Sequence, residues 1–447
     1  MIEAADLEVT TLGPCRVDSP LAARLGTRRT SLHYVDEDDR VLFDDTVGMV
    51  AERGDIPLGT LPGFEPAGPR RKIFFDPPKT RVGIVTCGGL CPGLNDVVRG
   101  LVLELSYHYG VRRIVGFRNG YRGFIARYGH DVVDLTPANV AESIDTGGSI
   151  LGVSRGQQDP NEIVDCLERM NITILFVVGG DGTLRGAQQI ARVVAERGER
   201  IAIVGVPKTI DNDIPYIDQS FGFQTAFAKA AESIRAAHAE ATSAPNGIGV
   251  VKLMGRHSGF IACYATLAQS DANVVLIPEV PFAVDGDGGL LRFLERRLAE
   301  RGHAVIVIAE GAGQDLVTSD PSAAGLPTST DASGNAKLRD VGIYLSHRIG
   351  DHFDALGVDL NLKYIDPSYI IRSVPADPFD SVYCLRLAHA AVHAAMAGRT
   401  EMVVGPWHRR FVHIPIPLAI SHRSKVDPDG DLWMSVLETT GQPPRFV

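Results

Sequence analysis

Short apolar runs with little polar alternation recur along the chain, each followed by a segment of helical spacing. The runs are RVGIVTCGG, RRIVGF, ITILFVVGG, IAIVGVP, GIGVVKLMG, NVVLIPE and HAVIVIAEG. Between them lie NEIVDCLERM, LRGAQQIARVVAERG, FQTAFAKAAESIRAAHAEAT and GLLRFLERRLAERG, which read as helices. Strands that are apolar on both faces need helices on both faces, as in a parallel sheet. Repeated strand-then-helix units therefore predict an α/β protein with two doubly wound, Rossmann-like domains and ligand sites at strand C-terminal ends. Residues 1–80 hold no long periodic segment, and Asp55 to Pro78 is rich in Pro and Gly. They predict an irregular N-terminal extension that wraps a surface or contacts a partner subunit. The Ser-, Thr-, Gly- and Pro-rich stretch from Gln314 to Leu338 reads as a mobile surface loop or lid, with a long helix after it in VGIYLSHRIGDHFDALG.

Composition narrows the classes. A chain of 447 residues predicts two or three domains. Hydrophobic residues at 45% and charged residues at 22% describe a folded protein rather than a disordered one. The formal net charge of -10 argues against a broad nucleic-acid surface, so any phosphate chemistry must gather its cations locally. Six cysteines, at 15, 87, 91, 166, 263 and 384, lack zinc spacing and read as reduced thiols of a cytoplasmic protein. The acidic N-terminus does not read as a signal peptide, and no uncharged apolar run approaches membrane-spanning length, so no membrane partner is expected.

Arg, Lys and carboxylates do gather at glycine-rich turns. Gly179-Gly180-Asp181-Gly182-Thr183 follows the strand ILFVV and precedes a helix. Glycine lets backbone amides approach a phosphate, and a helix N-terminus favours anions. An Asp among those amides makes sense if a magnesium ion lies between it and the phosphate; the plainer alternative is a tight βα turn with a capping Asp. A second turn, Gly88 to Asn95, also follows a strand, and Asn95 is placed to cap the next helix. In Pro207-Lys208-Thr209-Ile210-Asp211-Asn212-Asp213, Asp211 suits a general base, Asp213 a metal or orienting role, and Lys208 charge neutralisation. An Asp/Asn turn is the alternative there. Met254-Gly255-Arg256-His257-Ser258-Gly259 offers a forked phosphate ligand in Arg256, with His257 read as structural. Glu310 is a strand-end carboxylate suited to sugar hydroxyls. Arg372, in DPSYIIRS, is either a phosphate clamp or a structural Arg.

Taken together and in this order, GGLCPGLND, GGSILGVSRG, GGDGT, PKTIDND, MGRHSGF and DPSYIIRS resemble the 6-phosphofructokinase family from residue 81 onward, in its long-chain ATP-dependent branch. The resemblance implies an enzyme that moves the γ-phosphoryl group of ATP to the C1 hydroxyl of fructose 6-phosphate. It implies a nucleotide-binding domain over 81–221 and 373–407, a sugar-phosphate domain over 222–372, and a C-terminal arm over 408–447. Asp181 would bind the Mg2+ of the nucleotide. Gly182, with Lys208, would select the phosphoryl donor. Gly89, Tyr121, Arg155, Gly180, Gly182 and Thr183 would line the ATP site. Asp211 would be the base, assisted by Lys208, Thr209, Asp213 and Arg256. Met254, Gly255, Arg256 and Glu310 would hold the sugar, and Lys363, Tyr369 and Arg372 its 6-phosphate. The resemblance also implies a homo-oligomer, a dimer or tetramer.

The sequence departs from the shorter bacterial pattern at Lys208, where a Gly is usual, at Gly247, where an Arg is usual, and at Tyr369, where a His is usual. Lys208 also occurs in pyrophosphate-dependent relatives, so a pyrophosphate-dependent enzyme is the nearest alternative. A lipid or NAD kinase shares only GGDGT. A non-catalytic, nucleotide-sensing subunit would be expected to lack Asp181 or Asp211, and both are present.

Overall fold

The computed structural model describes residues 3–21, 34–52, 61–319 and 338–447. Its strands, in chain order, are β1 (Val17–Asp18), β2 (Val41–Leu42), β3 (Gly63–Pro66), β4 (Lys72–Ile73), β5 (Arg81–Thr86), β6 (Arg113–Phe117), β7 (Val132–Asp134), β8 (Ile174–Gly179), β9 (Ala202–Pro207), β10 (Gly247–Leu253), β11 (Val274–Leu276), β12 (His303–Ala309), β13 (Asn361–Ile365), β14 (Met402–Trp407) and β15 (Arg410–Pro415). The chain forms two compact units. One comprises Met1–Thr209, Ile214–Gly222 and Val374–His422; the other comprises Ile210–Asp213, Phe223–Ser373 and Arg423–Val447.

The first unit is built on a nine-stranded sheet in the order β2-β3-β15-β14-β9-β8-β5-β6-β7. Its centre, β14-β9-β8-β5-β6, is parallel, and the flanking pairings are antiparallel. The period of two sorts the side chains. Leu175 and Val177 of β8 join Leu184, Ala187 and Ile190 of the helix Asp181–Glu196 in one core, so the alternate residues Phe176 and Val178 face the opposite side. The helices Leu94–Leu103 and Pro378–Met396 pack closely on each other: a Cβ on Gly100 would stand 2.7 Å from that of Ala388.

The segment expected as an irregular N-terminal extension, residues 1–80, contributes strands to the first unit's sheet. Its described part supplies β3, which pairs with β15, and β2, which pairs with β3. A buried ion cluster fastens them. Arg399, 8% exposed, bonds Glu65 at 2.7 Å and Glu37 at 2.5 Å, and Arg70, 2% exposed, bonds Glu65 at 2.7 Å. His413 stands 3.3 Å from the same Glu65 carboxylate.

The second unit carries a parallel four-stranded sheet, β11-β12-β10-β13. Ile248, Val250, Ile306 and Ile308 pack against Leu290 and Leu294 of the helix Leu290–Arg301 and Leu345 and Ile349 of the helix Val341–Ala355. The latter is the long helix expected from VGIYLSHRIGDHFDALG, capped by Asp340, whose side chain accepts from the Ile343 amide. Of the expected loop from Gln314 to Leu338, the front forms a short helix, Gln314–Ser319, and residues 320–337 lie outside the described residues. The segment expected as one arm, 408–447, is divided after His422 between the two units. Gly247, at the start of β10, lies against the Ala241 backbone, which leaves no room for a side chain.

The Glu65 cluster makes a pH prediction. Burial would raise the Glu65 carboxyl, but the close approach of His413 and the bonds from Arg399 outweigh it and hold the group far below the usual carboxylate range. Such a group stabilises fully above its unfolded pKa, and that contribution is lost as pH falls toward the folded value. Glu65→Gln should cost about 3 kcal/mol in urea unfolding at pH 7. The gap between variant and wild type should shrink as pH falls below about 4.

Candidate functional site

The parallel centre of the first sheet brings three turns side by side. From β5 the chain moves to β6 on one side, then returns to β8 and β9 on the other, so the strand order reverses between β5 and β8. Ligands of open α/β sheets bind in the crevice at that reversal, outside the strand C-terminal ends. The turns there are Cys87-Gly88-Gly89 after β5, Gly180 to Thr183 after β8, and Lys208-Thr209 after β9.

Main-chain bonds lock the three together. The Cys87 amide donates to the Val178 carbonyl at 2.9 Å, and the Lys208 amide to Gly179 at 3.0 Å. The Lys208 ammonium, on a side chain only 5% exposed, donates to the Gly89 carbonyl at 2.8 Å. Gly88 has φ of +85°, a conformation that glycine takes readily, and its amide donates to the Ser154 carbonyl at 2.9 Å. That bond brings in the GGSILGVSRG segment, whose Arg155 guanidinium lies 3.5 Å from where a Gly89 Cβ would be.

Asp181 opens the helix Asp181–Glu196, with Gly180 as N-cap in extended conformation. Its carboxylate is partly exposed and lies 3.2 Å from Arg185. Gly182 is exposed, and a Cβ built on it would meet nothing within 4 Å. Packing therefore does not require glycine at 182, unlike Gly179, whose Cβ would collide with the Thr183 side chain. Thr183 is buried and its carbonyl accepts from the Tyr121 hydroxyl at 2.7 Å. Tyr121, expected to line the ATP site, is buried against Gly186, supporting the turn from behind. Asn95 does not cap its helix as expected. Gly93 is the N-cap, and the Asn95 amide side chain ties the helix to Thr146 and Ile150. Gln157, which sequence reasoning missed, donates to the Gly182 carbonyl at 3.0 Å.

Among the described residues no group of three His, Cys, Asp or Glu can hold a metal ion. An accessible carboxylate beside a side-chain-free position still suits a hard cation that keeps its waters and shares phosphate oxygens. All six cysteines are free, and burial pushes the Cys87 thiol up to about 12.

The second unit gathers a separate set. Met254 to Gly259 follow β10, and Glu310 follows the adjacent β12. The Glu310 amide donates to the Leu253 carbonyl at 2.8 Å and that of Gly311 to Gly255 at 3.1 Å, which joins the two strand ends. Burial raises the Glu310 carboxyl, with Arg256 and Lys252 pulling the other way. The Ser258 hydroxyl donates to the Asp211 carbonyl at 3.1 Å, so Asp211 is tethered to the loop that carries Arg256. Asp213 is buried and pairs with Arg423 at 2.5 Å, while the Ser424 amide donates to its carbonyl. One oxygen of Glu279 accepts from both Gly259 and Val426 amides, at 3.0 and 2.9 Å. Arg423 and Glu279 were not read from sequence. Glu279, after β11, shared the strand-end position that flagged Glu310; Arg423 carried no signal. His257 is exposed at its edge, and partial desolvation of its ring with the nearby Arg423 and Arg256 lowers its pKa.

The residues expected at the 6-phosphate are scattered along one edge. Lys363 lies exposed within β13 rather than at its end. Tyr369, 76% exposed, and Arg372 belong to the short helix Ser368–Ser373, with the guanidinium 4.8 Å from the Tyr369 ring.

Strand-end turns of this kind, one set rich in glycine amides and one in Arg and carboxylates, are what phosphoryl-transfer proteins of the α/β class use. A phosphofructokinase profile matches residues 81–395. The chain is 59% identical over 445 residues to an ATP-dependent 6-phosphofructokinase of Amycolatopsis methanolica, covering 99% of this chain and 96% of that one. It is 46% identical over 447 residues to one of Borreliella burgdorferi, covering 99% and 98%. A solved pyrophosphate-dependent phosphofructokinase from Marinobacter aquaeolei has a similar fold, with a TM-score of 0.65, 20% identity, and 80% of this chain and 91% of that one covered. The chain belongs to the phosphofructokinase family.

Because position 182 faces open space within the first turn of a helix, Gly182→Ala should leave the apoprotein's thermal unfolding unchanged or raise its stability by up to about 1 kcal/mol. A loss of stability would mean that packing, not ligand access, keeps that position small.

Proposed function

We propose that the chain is an ATP-dependent 6-phosphofructokinase that converts fructose 6-phosphate and ATP to fructose 1,6-bisphosphate and ADP. The observation that carries this reading is the bare position at Gly182 beside Asp181, at the reversal of strand order. A nucleotide's α-phosphate needs that space, and a carboxylate there would repel it. Gly89, Arg155, Gly180 and Thr183 would surround the polyphosphate. Asp181 would hold Mg2+, which when bound supplies neutralising charge to the phosphates.

On the acceptor side, Asp211 would take the proton of the C1 hydroxyl as its oxygen bonds to phosphorus and ADP leaves. The tether from Ser258 supports this, since it ties Asp211 to the loop of Met254, Gly255 and Arg256. Arg256 would neutralise the transferring group, and Met254 and Glu310 would hold the ring. Thr209 and Asp213 would orient it, Asp213 fixed by Arg423. Lys363, Tyr369 and Arg372 would reach the 6-phosphate. Lys208 and Asp211 are three residues apart, which limits their Cα separation to about 10 Å whatever the fold. The same reading makes the protein a cytoplasmic homo-oligomer. No helix among the described residues is long and apolar enough to cross a membrane.

Steady-state kinetics with each donor against fructose 6-phosphate test the reading: ATP with Mg2+ should support turnover and pyrophosphate should not. Gly182→Asp should lower kcat/KM for ATP by about 100-fold or more while the fold persists. Asp211→Asn should lower kcat by about 100-fold or more and leave nucleotide affinity in place. Wild-type turnover in Asp211→Asn would remove the base from the mechanism.

A further inference from the structure

The hairpin that joins β14 and β15 turns on His408 and Arg409, with φ of +49° and +65°. Two-residue turns of this hand normally use Asn and Gly, and bulky residues in the left-handed region are a strained choice found where function needs them. The turn carries Arg409 and Arg410 to the rim of a cavity of about 460 Å³ within the first unit. The helix Pro378–Met396 forms another wall and adds Arg386, His389 and His393. Tyr34 and Phe411 give it aromatic surface. The cavity shares no lining residue with the turns after β5, β8 and β9.

In a chain of net charge -10, this cavity gathers three guanidiniums, those of Arg386, Arg409 and Arg410. Among the described residues no carboxylate lies within 4.0 Å of the guanidinium nitrogens of Arg386, Arg409 or Arg410. Asp36 and Asp39 also line the cavity, both exposed at its edge. Arg386 lies over the Phe411 ring at 5.2 Å, which fixes its plane. At the floor, His393 bonds the Tyr109 hydroxyl through Nδ1 at 2.8 Å. Burial, then the neighbouring His389 and His108, pull its pKa down to about 3, so it stays neutral. Near the floor the buried Glu104 carboxylate is engaged by His108 at 2.5 Å and lies 3.6 Å from His389 and 3.9 Å from His393.

We propose that this cavity is a second anion site, for a phosphate group carried either as the free ion or as a monoester. Planar guanidiniums match phosphate oxygens in pairs, and the Tyr34 and Phe411 rings supply a surface for an organic part. The cavity stands apart from the site assigned above, and only the kinetic control in its test rests on that assignment.

Calorimetric titration of the full chain with inorganic phosphate, a nucleoside monophosphate and a sugar monophosphate tests it. Wild type should bind at least one probe saturably, and Arg386→Ala/Arg410→Ala should weaken that binding by about tenfold or more. The Arg386→Lys/Arg410→Lys pair should recover part of it, and kcat and KM for both substrates should be unchanged in either pair. Equal affinity for inorganic phosphate and the esters identifies a free-ion site; tighter binding of one ester identifies the organic part. Binding equal in wild type and the double-alanine variant, or no saturable binding by any probe, overturns the proposal. Should the double variant not fold, Arg410→Glu alone, on the exposed turn, carries the same reading.

Discussion

The register of three parallel strands is the constraint on which the first site rests. β5, β8 and β9 end within a residue of one another, so their turns open at one edge. Glycine alone would leave these turns free to splay. The Lys208 ammonium closes them, since a buried cation must be paired or hydrogen-bonded and the Gly89 carbonyl accepts from it at 2.8 Å. One residue thus links the last of the three turns to the first.

The second site is organised by strand ends in the same way, and by a late segment of chain. Residues 423–426 grip Asp213 through Arg423 and the loop after β10 through Glu279. A half-buried carboxylate that takes two amide donors on one oxygen fixes two loops at once. The distance in sequence between Asp213 and Arg423 is what makes this arrangement costly to predict and simple to disrupt.

Much of this was legible in the chain. Apolar runs without alternation marked the central parallel strands, because such strands are covered on both sides. The GGDGT and MGRHSGF turns fell at strand ends, where a helix begins. What failed to show was whatever depends on tertiary pairing. β2 and β3 are too short for periodicity, so residues that complete a nine-stranded sheet read as irregular. Asn95 had the chemistry of a cap, yet its side chain reaches across to Thr146 and Ile150. Tyr121 and Arg423 act through partners 62 and 210 residues away, beyond any local pattern.

The placement of β14 has a further consequence for how the chain is made. β9 pairs on one side with β8, already synthesised, and on the other with β14, which emerges roughly 200 residues later. At ribosomal rates that interval is about 10 to 40 s. Throughout it the apolar β9 strand lacks its β14 partner, and an unpaired edge is a template for aggregation. The central sheet of the first unit therefore cannot close until the second half of the chain has been made.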